Sequence, residues 1–406
     1  MGSYLDSVPM SGIVRIRDMM FTVKNPFRLD QGDVSFDAPD TVKQAMIKAV
    51  TDNHTHYLPT TGLPRLRQLA AQKLRDKNHV PVEKDDEVIV TNGGIHGLFA
   101  AFHALLEPGD EVILPDPQWP PTMAIIQWAG GVPVQVPLHE SLAFRWDLDE
   151  LEKAITPKTR VLYLNSPNNP SGGSLTRADL ERLAAIARER NLWVVSDEAY
   201  EDVLFNAEHI SIASLPGMYE RTIPCYTLSK SYAMTGVRVG YFAIKDAKMR
   251  ARATKLVLYT ASNVSSIAQY GAIGALEGSQ QCLVDFRIEL KARRDLFYAG
   301  IHDVAPQVFS GKPPEGAFYA FMKINPDWAR EMQLDRTESV SWAVVEHLVK
   351  HARIGCVPGQ DFGPQSEGYV RFCTARSREE LTGALESMRA ALGATVQASS
   401  GSRRQL

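Results

Sequence analysis

The chain reads as an α/β protein built on a mostly parallel sheet. Two observations predict this. Short, fully apolar runs recur at intervals of about 30 residues from position 87 onward, too apolar for strands with one wet face. Between them lie segments with apolar residues at helical spacing, the alternation expected of strand–helix–strand units.

The first 40 residues read as irregular, with turn residues between apolar ones over 29–36. A helix is expected over 39–52, a turn-rich stretch over 57–64, and an amphipathic helix over 66–77. The core pattern then begins. A strand over 87–90 leads through Thr91-Asn-Gly-Gly94 into a helix ending near Leu106. Strands follow over 111–114, 132–136, 160–164 and 192–195, with a helix over 121–129 between the first two. Thr176 is placed to cap a helix whose Leu180, Leu183, Ala184 and Ala187 share one face. Apolar runs over 222–226 and 237–244 flank a polar loop. Beyond 245 the pattern turns helical, with helices over 266–277 and 281–299. The C-terminal part mixes strands (317–322, 369–374) with helices (340–351, 377–392). Ser377 and Glu380 have capping-box spacing. The polar tail 397–406 is expected to be disordered.

Composition excludes several classes. The 406 residues are 44% hydrophobic, with a formal net charge of −3 and no block of like charge, so no nucleic-acid or membrane surface is expected. The cysteines (225, 282, 356, 373) form no CxxC pair, which argues against a zinc cluster or disulfide framework and for a reducing compartment. The N-terminus has no basic segment followed by an apolar core, and no apolar run reaches the roughly 20 residues of a membrane span. A cytoplasmic protein is expected. His54 and His56 have no further ligands beside them and read as loop histidines.

The polar residues that can carry chemistry fall where strands end, where open parallel sheets bind ligands. Lys230 sits in a loop with Thr227, Ser229 and Ser231, followed by Arg238. Its amine can form a Schiff base with a carbonyl cofactor, and the hydroxyls and guanidinium can hold a phosphate. A solvated surface lysine is the plain alternative. Gly93 and Gly94 open a helix, where backbone N–H groups can meet a phosphate, though strand–helix turns are common. Asp197 ends an apolar strand; its carboxylate can pair with a protonated pyridine nitrogen or cap a helix. Asn169 and Tyr200 can each hydrogen-bond a phenolate oxygen, while Asn169 lies among turn-forming prolines. Trp119 can stack on a ring or pack in the core. Arg371 lies inside an apolar strand and can bind a carboxylate with two donors or make a structural ion pair.

Taken together these residues describe one ligand, a planar phosphorylated aromatic aldehyde with a ring nitrogen: pyridoxal 5′-phosphate (PLP). The order of the motifs resembles that of the class I/II (fold-type I) aminotransferases of the aspartate aminotransferase superfamily, over about residues 29–392. Tyr57-x-Pro-x-x-Gly62, Gly93-Gly94-Ile95, Trp119, Asn165-x-Pro-x-Asn-Pro-Ser-Gly172, Asp197-Glu-Ala-Tyr200, Thr227-Leu-Ser-Lys230, Arg238 and Arg371 carry the likeness, with Ser171 where the family signature has Thr. The resemblance implies a large PLP-binding domain (46–290) with a seven-stranded sheet between helices. It also implies a small α+β domain from the N-terminal segment (1–45) and residues 291–396, and a homodimer with shared sites. Lys230, Asp197 and Tyr200 would be catalytic. Gly93, Gly94, Ile95, Trp119, Asn169, Thr227, Ser229, Arg238 and the neighbouring subunit's copy of Tyr57 would join them in holding PLP. Gly32, Trp119, Asn169 and Arg371 would bind an L-amino acid or 2-oxo acid, with amino transfer by a ping-pong cycle. Some aspartate-preferring members carry a lysine where this chain has Ile95, so a neutral or apolar donor is expected. Elimination, cyclisation or oxidation on the same scaffold is the alternative chemistry; a PLP-binding DNA regulator lacks both room and basic residues.

Overall fold

The computed structural model describes residues 11–336 and 338–402, with side chains described to Leu392 except at Arg336. The first element of the described residues is a helix, Gly12–Phe21, where an irregular segment was expected. Ile13, Ile16 and Met20 recur at helical spacing, and Ile16 and Met20 are buried in a core formed by residues from the far end of the chain. A two-residue strand β1 (Phe27–Arg28) and the helix Asp40–Thr51 follow, then the helix Pro64–Asp76.

The main sheet comprises β2 (Val88–Thr91), β3 (Glu111–Asp116), β4 (Val132–His139), β5 (Arg145–Trp146), β6 (Thr159–Asn165), β7 (Trp193–Asp197), β8 (Thr222–Thr227) and β9 (Gly240–Ala243). Its order is β2-β9-β8-β7-β6-β3-β4-β5. Eight strands stand where seven were expected, and most of them run parallel, as expected. The eighth strand, β5, is two residues long and turns back against β4 after a single 3-10 turn, too short to register as an apolar run. The sheet is mixed. β3, β4, β6, β7 and β8 run parallel, while β9 is antiparallel to both β2 and β8. The link from β8 to β9 holds only the four-residue helix Leu228–Ser231, not a crossover helix, so the chain returns in the opposite direction.

Helices cover both faces. Gly93–Leu105, Pro121–Trp128 and Ala247–Ala261 bury Leu98, Phe102, Ile126 and Val257 against one side. Arg177–Glu189 covers another part of the sheet, and its start is a true capping box between Thr176 and Asp179. Ser266–Glu277 packs with Asp40–Thr51 and Pro64–Asp76 on a third apolar cluster.

A second core lies around a four-stranded antiparallel sheet. Its strands are β10 (Phe309–Ser310), β11 (Tyr319–Ile324), β13 (Val357–Pro358) and β14 (Tyr369–Cys373), in the order β10-β11-β14-β13. Between β11 and β13, β12 (Ile354–Gly355) pairs in parallel with β1 and draws the N-terminal segment into this core. The helices Gln281–Val304, Val340–Ala352 and Arg378–Ser402 complete it. The last helix continues ten residues past its expected end at Leu392, taking in part of the polar tail; residues 403–406 lie outside the described residues. Only half of the expected capping box at Ser377 forms. Ser377 Oγ accepts from Glu380 N at 3.2 Å, but the Glu380 carboxylate accepts from Arg28 N (2.8 Å) and Arg376 Nε (2.9 Å) instead. Among the described residues no helix is long and apolar enough to cross a membrane.

Candidate active site

The ends of β3, β6, β7 and β8 open into one cleft of about 340 Å³ where the two cores meet. Gly32, Gly94, Ile95, Trp119, Asn169, Asp197, Tyr200, Ser229, Lys230, Arg238 and Arg371 all line it. Positions up to 341 residues apart in sequence are therefore neighbours in space, as in the hydrogen bond from Arg371 Nη2 to Asp30 O at 2.8 Å.

Lys230 lies on the one-turn helix after β8, whose first turn is capped by Thr227 Oγ1 accepting from Ser229 N. Its Nζ donates to Gly32 O at 2.5 Å. Burial lowers the Lys230 amine to about 8; nearby Arg371 and Arg238 push the same way, while Asp33 opposes them. The amine is thus poised near neutrality, as a nucleophile or base requires.

Asp197 is the last residue of β7. Its Oδ1 accepts from Ala199 N (3.1 Å) and its Oδ2 from Tyr163 Oη (3.1 Å). Burial raises the carboxyl to about 6, and those two donors hold it back. A cationic partner in the cleft would restore its anionic form.

Arg371, on β14, is almost wholly buried. Its Nη1 donates to Asn169 Oδ1 at 3.0 Å, and its guanidinium lies over the Tyr319 ring at 4.5 Å and the Phe362 ring at 5.0 Å. Nε is buried with no partner among the described residues. Among the described residues no carboxylate pairs with it, and Nε leaves a donor that a carboxylate ligand could take.

Gly93 and Gly94 start the helix Gly93–Leu105, whose N–H groups point outward at its positive end. Gly93 has φ +77, a conformation that favours glycine, with Arg238 Nη2 2.5 Å from where a Cβ would stand. Thr227 lies behind it, with its Oγ1 donating to Ser229 Oγ at 2.8 Å. Ser231, grouped with these hydroxyls by sequence, instead donates to Asp202 Oδ2 at 2.6 Å. Tyr57 is also apart: it is 90% exposed and lines a separate surface hollow with Asn263.

Several cleft residues were not foreseen. Tyr319 Oη and Tyr200 Oη are 2.7 Å apart, and a Cβ on Gly32 would fall 2.4 Å from Tyr319 Oη. Tyr319 lay unremarked in the expected strand 317–322, which pairs with that of Arg371. Ile13 enters from the unexpected N-terminal helix, and Leu98 from the helix after the glycines.

The chain is similar to known proteins over nearly all of its length. The family model described as "Aminotransferase class I and II" matches residues 24–388. An aspartate aminotransferase of Pyrococcus abyssi is 36% identical over 96% of this chain and 97% of that protein. Aromatic-amino-acid aminotransferase 2 of Thermococcus litoralis is 34% identical over 95% of this chain and 96% of that one. The crystal structure of the Pyrococcus horikoshii aromatic aminotransferase superposes with a TM-score of 0.85 at 36% identity, covering 94% of this chain and 99% of that one.

Proposed function

The chain belongs to the class I and II aminotransferases, a pyridoxal-phosphate-dependent family acting on amino acids and 2-oxo acids, and we propose that its preferred amino donor is neutral or apolar. The cleft suits the cofactor: it combines a buried carboxylate, a nearly neutral buried lysine, a pair of glycines opening a helix, and two arginines in its lining.

In this reading Lys230 would hold PLP through its amine and Asp197 would pair with the ring nitrogen. Gly94, Ile95, Thr227, Ser229 and Arg238 would take the phosphate, with Gly93 leaving room for it. Trp119 would face the ring, and Asn169 and Tyr200 would bond its oxygen. PLP supplies an electrophilic carbonyl and a ring that accepts the electron pair left when the substrate Cα–H bond breaks. Arg371, steadied by Asp30 O and Asn169, fixes the substrate carboxylate with two donors. Lys230 Nζ, once free, would take the proton from the substrate Cα and later return a proton. Asp197 would stay anionic beside a cationic partner. With a 2-oxo acid as acceptor, the same residues would serve in the opposite direction.

The donor preference rests on one observation. Among the described residues the cations that line the cleft are Lys230, Arg238 and Arg371, and each has a task in that scheme. The remaining wall holds Ile13, Ile95 and Leu98. An apolar side chain gains by leaving water there, whereas a second carboxylate would be desolvated without a partner. A screen of amino donors with purified protein tests this. Higher kcat/KM for phenylalanine or leucine than for aspartate is expected; aspartate far ahead of both would overturn it.

We also propose a homodimer. Tyr57 stands out from the surface beside Asn263, placed to serve a second copy's phosphate site, and exposed Ile47, Val50 and Tyr259 offer apolar area for the contact. Four free cysteines, three of them buried, suit a reducing cytoplasm.

A further inference from the structure

Behind the cleft, Asp197 is held by a side chain that takes no part in the scheme above. Tyr163 stands on β6, fully buried, with its ring against Phe102 of the Gly93–Leu105 helix at 5.8 Å between centroids. Its Oη donates to Asp197 Oδ2 at 3.1 Å. It in turn accepts from Thr122 Oγ1, also fully buried, at 3.3 Å. The three groups form a directed chain, Thr122 to Tyr163 to Asp197, running from the Pro121–Trp128 helix through the sheet to the cleft.

We propose that Tyr163 is a positioning residue, whose hydroxyl, oriented by Thr122, keeps Asp197 ionised and aimed so that the proton it shares with the cofactor's ring nitrogen stays on the nitrogen. A carboxylate in apolar surroundings becomes a stronger base, and a stronger base would draw that proton to itself. The neutral ring would then be a poorer electron acceptor. A phenol donating to the carboxylate favours the anion and opposes this, and burial of the phenol keeps it a donor and never a competing anion. The phenol is well placed because its alternatives are few: with Thr122 donating to it, its own proton goes to Asp197. The other groups that act electrostatically on Asp197 are Lys230 from the one-turn helix, Glu198 on its own loop, and Cys225 and Tyr200. Lys230 favours the anion and Glu198 opposes it, Cys225 and Tyr200 are themselves neutral through burial, and Tyr163 is the side chain that bonds Asp197 directly.

The proposal rests on PLP being the cofactor, so the test reads both with and without it. In cofactor-free protein, the infrared carboxyl stretch of Asp197, identified by its absence in Asp197→Asn, is followed against pH. Removing a donor raises the carboxyl midpoint. Tyr163→Phe should move it upward by about one pH unit, the size expected for one hydrogen bond to a charged group. Thr122→Val should move it the same way by less, and Thr122→Ser should restore it. With PLP added, the acid limb of cofactor affinity should move in parallel, and the 15N shift of labelled ring nitrogen should report a smaller protonated fraction in Tyr163→Phe. Tyr241→Phe, a buried tyrosine of the same sheet that does not touch Asp197, is the control. An unmoved Asp197 midpoint in Tyr163→Phe, or an equal movement in Tyr241→Phe, overturns the proposal. A moved midpoint with unchanged cofactor affinity and 15N shift overturns the link to the ring nitrogen.

Discussion

Single side chains decide the chemistry, and two of them make quantitative predictions. Lys230 titrates near 8 because it is buried, and only its neutral amine can attack a carbonyl. Attachment of PLP to cofactor-free protein should therefore speed up as pH rises from 6 and level off above about 8. Stopped-flow absorbance checks this, and a flat profile would contradict it. Arg371 offers a planar fork that lysine cannot copy. Arg371→Lys should lower kcat/KM for amino acids by about a hundredfold, the worth of a buried bidentate contact, while PLP affinity stays the same. Steady-state kinetics with parallel cofactor titration separates the two. At this scale the sequence was largely sufficient for residues with distinctive chemistry: lysine among hydroxyls, paired glycines, an arginine in an apolar strand. Tyr163 and Tyr319 escaped notice because a tyrosine in an apolar run looks like packing until its hydroxyl partner is known. Ser231 misled, because neighbours in a one-turn helix point in different directions.

Elements hold those residues in place, and the segment after β7 shows how. Asp197 and Tyr200 flank Glu198, whose buried carboxylate accepts from Ser196 Oγ (2.9 Å), Ser211 Oγ (2.6 Å) and His209 Nε2 (2.9 Å). One turn on, Glu201 pairs with Lys73 Nζ at 2.5 Å and Asn78 Nδ2 at 2.7 Å. These buried partners fasten the strand end to the layer beneath it. His209 is raised above its ordinary value by the Glu198 charge, against the effect of burial. Breaking one partner of a buried pair costs about 3–5 kcal/mol, so His209→Ala should lose stability of that order in urea unfolding. The sign of the pH dependence follows. A His whose folded value is raised contributes stability that is full below about 6.5 and is lost as pH rises through its folded value. The difference between wild type and His209→Ala should shrink over that range. Element types were legible where helices had caps and strands were apolar, as with Thr176 and β6 to β8. The N-terminal helix was missed although Ile13, Ile16 and Met20 carry its period, because the polar stretch that follows obscured it. The two-residue β5 has too few residues to leave a pattern.

At the scale of the whole molecule, the cleft exists because two cores meet. Arg371 and Tyr319 come from the small sheet, Asp197 from the large one, Lys230 from the one-turn helix that follows its strand β8, and Gly32 from the N-terminal segment. No local pattern encodes that meeting, and the order of motifs along the chain conveyed it only through likeness to a family. The direction of β9 was hidden for a related reason: strand direction depends on what the connection can span, not on the strand's own residues. If the subunits pair through the face bearing Tyr57, Tyr57→Ala should weaken PLP binding about tenfold, consistent with loss of one hydrogen bond to a charged phosphate. Equilibrium dialysis of the purified variant measures this. All of these roles depend on Lys230 being the residue that carries the cofactor. Borohydride reduction of the PLP-loaded protein, followed by peptide mass mapping, tests that most directly. The reduced pyridoxyl group should be found on Lys230 and be absent from the Lys230→Ala protein; label on another lysine, or undiminished label in that variant, would contradict the account.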